Sequence, residues 1–234
     1  MPCFNEGRTI KAAMDRVLRS PWVGELIVVD DGSTDDSAET ARAVASGDDR
    51  VRVLAQGRNQ GKGAALRRGF AEASQPFVIV NDADLEYDPA DYDELLAPLV
   101  RGDADVVYGS RFLSGRPHRV LYYWHSLGNR LLTECSNMLT NLNLTDMETC
   151  YKAFRLEVLR SFELEEDRFG FEPEITAKVA RGGRWRVYEV GIGYAGRTYA
   201  EGKKIGWRDG IHAMWCIVKY SPLLHRRQRS LPRP

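Results

Sequence analysis

Short apolar runs alternate with amphipathic stretches along the first hundred residues. Three of the runs are bounded by turn residues and rich in Val and Ile, as buried strands are, and cover residues 25–29, 51–54 and 76–80. Apolar residues at helical spacing predict helices around them, at about residues 9–20, 37–46 and 64–73. This alternation predicts a three-layer α/β/α fold around a mostly parallel sheet with right-handed crossovers.

The second half of the chain has a less regular pattern. It predicts helices over about residues 89–101, 121–142 and 171–181, and strands over residues 105–108 and 185–193. Residues 146–155 have the pattern of a turn followed by a short strand. Because no repeat, low-complexity segment or linker interrupts the chain, we expect one domain over residues 1–196 and a basic tail over residues 197–234.

Composition and charge narrow the class of protein. The chain has 234 residues, of which 43% are hydrophobic and 28% charged, as in ordinary globular proteins. Its formal net charge is zero, which gives no reason to expect nucleic-acid binding, although residues 197–234 carry nine Lys and Arg against two acidic residues. No apolar run approaches the ~20 residues that span a bilayer, and no signal peptide opens the chain. We therefore expect a soluble or peripheral protein of the cytoplasm.

The cysteine and histidine residues give no sign of a metal or redox site. Cys3, Cys135, Cys150 and Cys216 are widely scattered, without a CxxC or a Cys/His metal spacing. We expect them to be reduced thiols in or near the core of a cytosolic protein. The histidines at positions 118, 125, 212 and 225 show no HExxH pattern, so we interpret them as surface or packing residues.

A group of carboxylates follows the third predicted strand. Asp82, Asp84 and Glu86 alternate, so in an extended chain all three would point to the same side. Carboxylates placed together repel one another unless a cation lies among them, and their hard oxygen ligands suit Mg²⁺ or Mn²⁺ with open positions for phosphates. The alternative interpretation is a solvated acidic loop after a strand.

A second pair of carboxylates follows the first buried strand. Asp30 and Asp31 stand where a carboxylate can accept hydrogen bonds from a nucleoside base or a ribose. Ligands of such sheets bind beyond the carboxyl ends of the strands, so this pair can converge with Asp82 and Asp84. The alternative is a helix N-cap, a role that the neighbouring Ser and Thr already fill.

The glycine-rich turn at residues 57–63 invites comparison with nucleotide-binding loops. It is one residue shorter than a P-loop, and Gly63 stands where Ser or Thr must bind Mg²⁺. A GxGxxG fingerprint is absent after the first strands, which counts against a nicotinamide enzyme. Lys62 can still approach a diphosphate from this turn, although a plain helix-entry loop explains the same residues.

Taken together, these segments resemble the family 2 glycosyltransferases, which have the Rossmann-like GT-A fold. The matching stretches are residues 2–6 (PCFNE), 28–35 (VVDDGSTD), 59–63 (NQGKG) and 82–84 (DAD). Farther along, the chain is similar to the subgroup that glycosylates polyprenyl phosphates, which includes dolichyl-phosphate mannose and glucose synthases. Those stretches are residues 109–111 (GSR), 128–130 (GNR) and 146–152 (DMETCYK).

The resemblance implies roles for individual residues. The residues that would bind the nucleotide sugar are Pro2, Phe4, Glu6, Asp31, Lys62, Asp82, Ala83, Asp84, Arg197 and Lys203. Among them Asp84, with Glu86 in the place of the family's second ligand, would carry Mg²⁺ or Mn²⁺. Arg197 and Lys203 belong to a stretch that resembles the basic lid over the donor.

The resemblance also implies an inverting displacement at the sugar. The leaving nucleoside diphosphate develops negative charge, which a metal ion and Lys or Arg side chains can stabilise. A lipid phosphate is already ionised at neutral pH, so positioning by Arg111 and Arg130 would matter more than proton abstraction. Asp146 is the candidate if a general base is used, and the alternative for Asp146 is a carboxylate that connects helices.

Two predicted helices have faces that suit a membrane surface. The first opens with Leu121, Tyr122, Tyr123 and Trp124, and the second covers residues 211–220 and includes Trp215. Aromatic and apolar faces beside Lys and Arg suit an interfacial helix and anionic headgroups. Core packing is the alternative for either helix, but together with the basic tail at residues 225–229 they favour peripheral contact with the cytosolic face of a membrane.

We therefore expect an enzyme that moves a sugar from a nucleotide donor to a dolichyl or undecaprenyl phosphate. UDP-glucose is the favoured donor because residues 201–207 (EGKKIGW) resemble the glucosyl-type members. One alternative is a family 2 enzyme with a saccharide or protein acceptor. A sugar-nucleotide pyrophosphorylase would open with a GGxGTR loop that is absent here, and the carboxylate group argues against a non-catalytic nucleotide-binding module.

The start of the chain departs from the family pattern. Family members carry an apolar strand before the Pro-x-x-Asn-Glu loop, whereas residues 1–6 here have only loop chemistry. If Met1 is the true start, we expect a central strand of the sheet to be missing, and the alternative is that Met1 is a misassigned start.

Overall fold

Strands and helices alternate through the computed structural model, which describes residues 1–113, 119–120, 122–197 and 206–224. The strands, β1 to β7, are Pro2–Cys3, Leu26–Asp30, Val51–Ala55, Phe77–Ile79, Val106–Ser110, Lys152–Arg155 and Val187–Gly191. The α-helices, α1 to α8, are Ile10–Leu18, Ser37–Ala45, Lys62–Glu72, Tyr92–Val100, Tyr123–Thr140, Leu156–Arg160, Phe171–Ala180 and Trp207–Tyr220. Short 3₁₀ helices cover Pro89–Asp91 and Arg181–Gly183.

The strands form two sheets. The first has the order β1-β2-β3 and is wholly parallel, with Val28 opposite Val53. The second has the order β4-β6-β5-β7, in which β5 and β7 are parallel and β6 runs antiparallel to both of its neighbours. The α/β fold with a mostly parallel arrangement is therefore confirmed. Strand β6 is the exception, because the connection through α5 returns the chain to the end of the sheet where β5 stops.

The predicted elements lie close to the observed ones because their hydrophobic periods are clear. Helix α1, for example, buries Ile10, Ala13, Met14 and Val17 on one face, which is the spacing that predicted it. Helix α6 was not predicted, since five residues are too few to show a helical period. The larger core surrounds the second sheet, and a smaller one packs α1 against the first sheet.

An apolar cavity separates the two sheets. Residues Pro2–Cys3 pair with β2, so the expectation of a loop there is wrong at these two positions. The N-terminal ammonium of Met1 donates a hydrogen bond to the Ile27 carbonyl at 2.8 Å, and burial lowers its pKa to about 6. Beside it, a cavity of about 220 Å³ is lined by residues of β2, β4 and α3.

The C-terminal helix is part of the same packed body. Helix α8 packs against α5 and α7, and Cys216 and Ile217 on it are buried. In the described part of the chain, none of the helices combines the length and the apolar character that a membrane span requires. The expected boundary after residue 196 stays a prediction, because residues 198–205 and 225–234 lie outside the described residues.

Candidate functional site

Asp84 and Glu86 come together through a tight turn. Strand β4 ends at Ile79, and Leu85 has a φ of 64°, a left-handed conformation that is unusual for a bulky side chain. The backbone N–H of Glu86 donates to Asp84 Oδ1 at 3.1 Å. The expectation that Asp82, Asp84 and Glu86 share one side of an extended strand is therefore wrong, because the strand stops before it reaches them. Strained backbone of this kind is concentrated at functional sites.

The guanidinium of Arg197 lies among three carboxylates. Its Nη1 is 3.0 Å from Glu6 Oε2 and its Nη2 is 3.0 Å from Asp84 Oδ2. Its Nε lies 3.5 Å from Glu86 Oε1 and is buried, with no hydrogen-bond partner in the described part of the chain. The backbone N–H of Arg197 also donates to Glu86 Oε1 at 2.8 Å. The three acids thus form a cation-binding cluster, which we call the acidic cluster, and an arginine fills it.

The charge on Asp84 is only partly balanced by this arginine. Burial, and then the carboxylates of Asp82 and Glu86, raises the pKa of Asp84 to about 7, although Arg197 acts in the opposite direction. Negative charge that remains uncompensated on hard oxygen atoms fits Mg²⁺ or Mn²⁺. Asp84 and Glu86 are the residues that could hold such an ion, as predicted, and Glu86 Oε2 at present accepts the Tyr194 hydroxyl at 2.8 Å.

Glu6 is positioned by contacts between two loops. The backbone N–H of Glu6 donates to Ser37 Oγ at 2.8 Å, at the start of α2. One residue earlier, the N–H of Asn5 donates to Ser33 Oγ at 3.0 Å, and its side-chain oxygen accepts the N–H of Thr34 at 2.8 Å. These contacts fix the PCFNE loop against the DDGSTD turn. The two sequence motifs therefore support each other at one edge of the first sheet.

Lys62 and Asp82 form a half-buried ion pair next to the acidic cluster. Lys62 begins α3, and its ammonium lies 2.9 Å from Asp82 Oδ2 and 3.6 Å from Glu172 Oε1. Burial lowers the pKa of Lys62, but the carboxylates of Asp82 and Glu172 together outweigh it and raise that pKa well above its ordinary value. Burial raises the pKa of Asp82, but the charge and hydrogen bond of Lys62, with further neighbouring groups, lower it below its ordinary value, so both groups are charged. Glu172 also pairs with the fully buried Lys152.

Asp31 shapes the glycine-rich turn that presents Lys62. Its side chain is buried, and its carboxylate accepts the backbone N–H groups of Gln60 and Gly61, both at 2.7 Å, and the Gln56 side-chain amide at 3.0 Å. Gly61 has a φ of 109°, and a Cβ there would lie 2.3 Å from the Asp167 carbonyl oxygen. Asp31 therefore converges with Asp82 through this turn. A direct contact of Asp31 with a nucleoside stays a prediction.

Arg111 and Asp146 form a second buried ion pair, at the end of β5. Arg111 Nε and Nη2 lie 2.6 and 2.7 Å from the two oxygens of Asp146, which is fully buried. Asn129 donates to the same carboxylate at 3.1 Å, and Glu189 accepts the backbone N–H of Asp146 at 3.0 Å. Both oxygens of Asp146 are thus engaged. These contacts are those of a residue that positions Arg111, and the role of general base for Asp146 stays a prediction.

Glu148 is a site residue that the sequence did not single out. Its Oε1 is buried and finds no hydrogen-bond partner among the residues that the structure describes. Burial, and then the charge of Glu172, raises its pKa to about 7, although Lys152 and Arg111 act in the opposite direction. The one sequence signal was its place in the DMETCYK stretch. A carboxyl of this kind can take up or release a proton near neutral pH.

The remaining predicted residues have less defined contacts. Pro2 and Phe4 are half-buried beside β2, and Ala83 is buried in the smaller core. Arg130 is exposed on α5, next to Asn129 of the Arg111 and Asp146 group. Lys203 lies outside the described residues. Their predicted roles stay predictions.

Known proteins are similar in sequence to this chain along most of its length. An undecaprenyl-phosphate mannosyltransferase of Micrococcus luteus is 29% identical over 219 residues, which are 88% of this chain and 86% of that protein. The polyprenol monophosphomannose synthase of Mycolicibacterium smegmatis is 28% identical over 213 residues, 88% of this chain and 80% of that protein. Glycosyltransferase AglJ of Haloferax volcanii is 31% identical over 183 residues, and the chain covers 57% of its length.

Solved structures confirm the GT-A fold. Glucosyl-3-phosphoglycerate synthase from Mycobacterium tuberculosis matches with a TM-score of 0.72 and 23% identity, over 94% of this chain and 78% of that one. The same enzyme in complex with Mn²⁺ and UDP-glucose also gives a TM-score of 0.72, at 22% identity, over 94% of this chain and 77% of that one. A family model described as glycosyl transferase family 2 matches residues 1–162. The chain therefore belongs to glycosyl transferase family 2, as its motifs predicted.

Proposed function

We propose that this protein transfers a sugar from a nucleotide-sugar donor to a polyprenyl phosphate, with inversion at the anomeric carbon. The observation that carries the proposal is the acidic cluster beside the Lys62 and Asp82 pair, at the carboxyl edge of both sheets. An acidic cluster and an ammonium placed together can receive a metal-bound diphosphate. The names of the relatives from Micrococcus luteus and Mycolicibacterium smegmatis support a polyprenyl acceptor.

The donor end of the site is built by three segments. Asp84 and Glu86 would hold Mg²⁺ or Mn²⁺, which when bound stabilises the charge that develops on the leaving diphosphate. Lys62 would add its positive charge to the same leaving group, since Asp82 and Glu172 keep it protonated and oriented. Arg197 keeps the acidic cluster together in the ligand-free protein. Arg197 also begins the stretch, residues 197–204, that we expect to cover the donor.

The acceptor end of the site contains the second ion pair. Asp146 and Asn129 orient the Arg111 guanidinium, which also lies 5.1 Å from the centre of the Tyr194 ring. A guanidinium fixed in this way suits a phosphate oxygen. Arg130 is exposed on the same helix as Asn129 and could reach a phosphate that approaches from the solvent side. Because a lipid phosphate is already ionised, orientation is the main task of these residues.

Two neighbouring helices expose an apolar face that suits a membrane surface. On α5, Tyr123 and Trp124 are 70% and 77% exposed, and Leu131 follows two turns later at 58%. On α8, which packs against α5, Ile211 and Trp215 are 62% and 52% exposed. Aromatic side chains of this kind bind at the boundary between headgroups and acyl chains. We therefore propose that this face, the α5–α8 face, holds the protein at the membrane that contains its acceptor.

The identity of the transferred sugar is a more specific part of the proposal. UDP-glucose was favoured from residues 201–207, of which residues 201–205 lie outside the described part of the chain. The two bacterial relatives are named for mannose, whereas the solved structural neighbour binds UDP-glucose. We retain UDP-glucose as the first donor to test, with nucleotide donors of mannose as the comparison.

A product assay tests the proposed reaction. The protein is mixed with each nucleotide sugar, Mn²⁺ or Mg²⁺ and a short polyprenyl phosphate, and a glycosylated lipid phosphate is sought by mass spectrometry. We expect one donor to give product in wild type and none to do so in Asp84→Asn. Asp103→Asn, which changes an exposed carboxylate paired with Arg101, is the matched control and should keep full activity.

Two outcomes would contradict the proposal. Product formation that is unchanged in Asp84→Asn and in the presence of a chelator would remove the metal role of the acidic cluster. Transfer to 3-phosphoglycerate or to a saccharide, with none to polyprenyl phosphate, would assign another acceptor to the same donor site.

A further inference from the structure

A second group of metal-ligand side chains lies away from the acidic cluster, between α8 and the segment before α7. His212 and Cys216 are four residues apart on α8, so they lie on one face of the helix, one turn from each other. His212 Nε2 is 2.9 Å from Glu166 Oε2 and 3.5 Å from Cys216 Sγ. All three ligand atoms lie within 4.8 Å of one another. The sequence analysis found no Cys/His metal spacing and did not predict that these three side chains lie together.

We propose that Glu166, His212 and Cys216 bind one Zn²⁺ ion. Zinc takes sulfur, nitrogen and carboxylate oxygen ligands in tetrahedral geometry, and bonds of 2.0–2.3 Å place neighbouring ligand atoms about 3.3–3.7 Å apart. The observed separation of 3.5 Å between His212 and Cys216 lies within that range, and the separation of 2.9 Å between His212 and Glu166 lies below it. The third pair, a Glu166 carboxylate oxygen and Cys216 Sγ, lies within 4.8 Å, so small side-chain shifts would bring all three atoms to bonding distance of one ion. A water molecule would supply the fourth ligand.

Gly170 leaves open the space that an ion needs. A Cβ at this position would lie 2.6 Å from Cys216 Sγ, 2.8 Å from Glu166 Oε2 and 3.0 Å from His212 Nε2. The position of this Cβ is thus almost equally far from all three ligand atoms. Any larger residue at position 170 would block the space beside the three ligands. The glycine has an ordinary negative φ of −66°, so backbone conformation does not explain its presence.

Neighbouring side chains orient the carboxylate ligand. Glu166 Oε1 accepts Lys219 Nζ at 2.9 Å and the Tyr220 hydroxyl at 2.8 Å, which turns Oε2 toward His212 and Cys216. Outer contacts of this type are common around metal ligands. The Glu166 carboxylate and a Cys216 thiolate would balance the two charges of the ion. The site would then be neutral, and Lys219 would keep its partner.

The proposed ion would connect α8 to the turn that presents Lys62. The carbonyl of Asp167 accepts the backbone N–H of Ala64 at 3.0 Å, and the carbonyl of Glu166 accepts Arg67 Nη1 at 3.0 Å. Glu166 is therefore held by α3 on one side and by α8 on the other. A zinc ion on Glu166 would fix the position of α8, which carries Trp215 of the α5–α8 face.

Cobalt absorption tests the site directly. Co²⁺ replaces Zn²⁺ in tetrahedral sites, and a cobalt–thiolate bond gives a charge-transfer band in the near ultraviolet. We expect this band when Co²⁺ is added to the metal-free protein, its loss in Cys216→Ser and His212→Gln, and its displacement by one equivalent of Zn²⁺. Cys135→Ser, which removes a partly buried thiol elsewhere on the chain, should keep the band.

A second measurement separates this site from the acidic cluster and from the proposed transferase function. Asp84→Asn should keep the cobalt band, because that carboxylate lies in the other site. Zn²⁺ at about a hundred times its Kd should raise the Tm of wild type by about 5–10 °C, and should leave the Tm of His212→Gln unchanged. The same shift in His212→Gln, the absence of a cobalt–thiolate band in wild type, or an equal band in Cys216→Ser would overturn the proposal. None of these measurements requires donor or acceptor.

Discussion

Asp84 destabilises the metal-free protein at neutral pH. Its pKa of about 7 in the folded chain lies above the ordinary value of 3.8, so the folded state binds the proton more tightly than the unfolded state does. The free energy of unfolding therefore falls as pH rises from about 4 to about 7, and the loss is complete above pH 7. A metal ion at the acidic cluster would offset this loss.

We expect Asp84→Asn to stabilise the metal-free protein, and to do so more at pH 8 than at pH 5. The amide removes a buried charge, and the gain at pH 8 should be on the order of 2 kcal/mol. Thermal unfolding in the presence of a chelator, at both pH values, measures the difference. A gain of the same size at pH 5 and pH 8 would mean that ionisation of Asp84 is not its source.

Asp146 and Glu148 differ in what their substitution should do to the pH dependence of turnover. Asp146→Asn leaves Arg111 as an unpaired buried charge, so we expect a loss of roughly 3–5 kcal/mol in stability and a lower kcat/KM for the acceptor, with the shape of the pH–rate profile unchanged. If a general base is used, Glu148→Gln should remove the acid limb of that profile. An acid limb lost in Asp146→Asn instead would restore the base role predicted for Asp146 from sequence.

The sequence predicted single site residues where acidic side chains directly follow a predicted strand, at the carboxyl edge of the sheet. Asp82, Asp84 and Glu86 were found in this way, and so was the convergence with Asp31. The resemblance named Arg197 as a residue at the donor, but its ion pairs with the acidic cluster were not predicted, because Arg197 lies 113 residues after Asp84 and nothing local links them. The group formed by Glu166, His212 and Cys216 was not predicted, for a similar reason. Its third member, Glu166, comes from a segment without a recognisable pattern.

At the scale of elements, the α5–α8 face makes the membrane proposal testable. We expect Trp124→Ser and Trp215→Ser each to weaken binding to lipid vesicles several-fold without a change in thermal stability, because both side chains are largely exposed. Vesicle sedimentation measures the binding. Trp22→Ser is the control, since Trp22 is 46% exposed but lies near α4, away from this face. Equal losses in all three variants would mean that the face has no special role.

The period of the hydrophobic residues predicted which segments are helices and which are strands. It did not predict the direction in which each strand runs. The runs that became β2 and β5 are mostly apolar, as buried strands are, and α5 shows a helical period over 18 residues. Strand β3 has Arg52 between two valines. Nothing in the four residues of β6 indicates that it runs antiparallel, because direction depends on where the preceding connection returns the chain. The turn at Leu85 was also not predictable, since the tertiary contacts of Glu86 hold it in place.

At the scale of the whole molecule, a neutral chain has its positive charge concentrated at one end. Residues 225–234 contain four arginines and no acidic residue. Basic residues at a membrane surface contribute about 1 kcal/mol each toward anionic lipids. We expect deletion of residues 225–234 to weaken binding to anionic vesicles at least tenfold at low salt, and to abolish most of its salt dependence. Binding to neutral vesicles, measured in the same way, should hardly change.

The cavity between the two sheets makes the molecule a target for small apolar compounds. Its lining includes Val29, Leu66, Phe70, Phe77 and Ile79, and its volume of about 220 Å³ exceeds that of cavities known to take up benzene or xenon. A compound bound there would contact β2, which leads to Asp31, and β4, which leads to Asp84. It would not occupy the space of the donor or of the acceptor. We therefore expect a compound in this cavity to alter turnover through β2 and β4, without competing with the nucleotide-sugar donor.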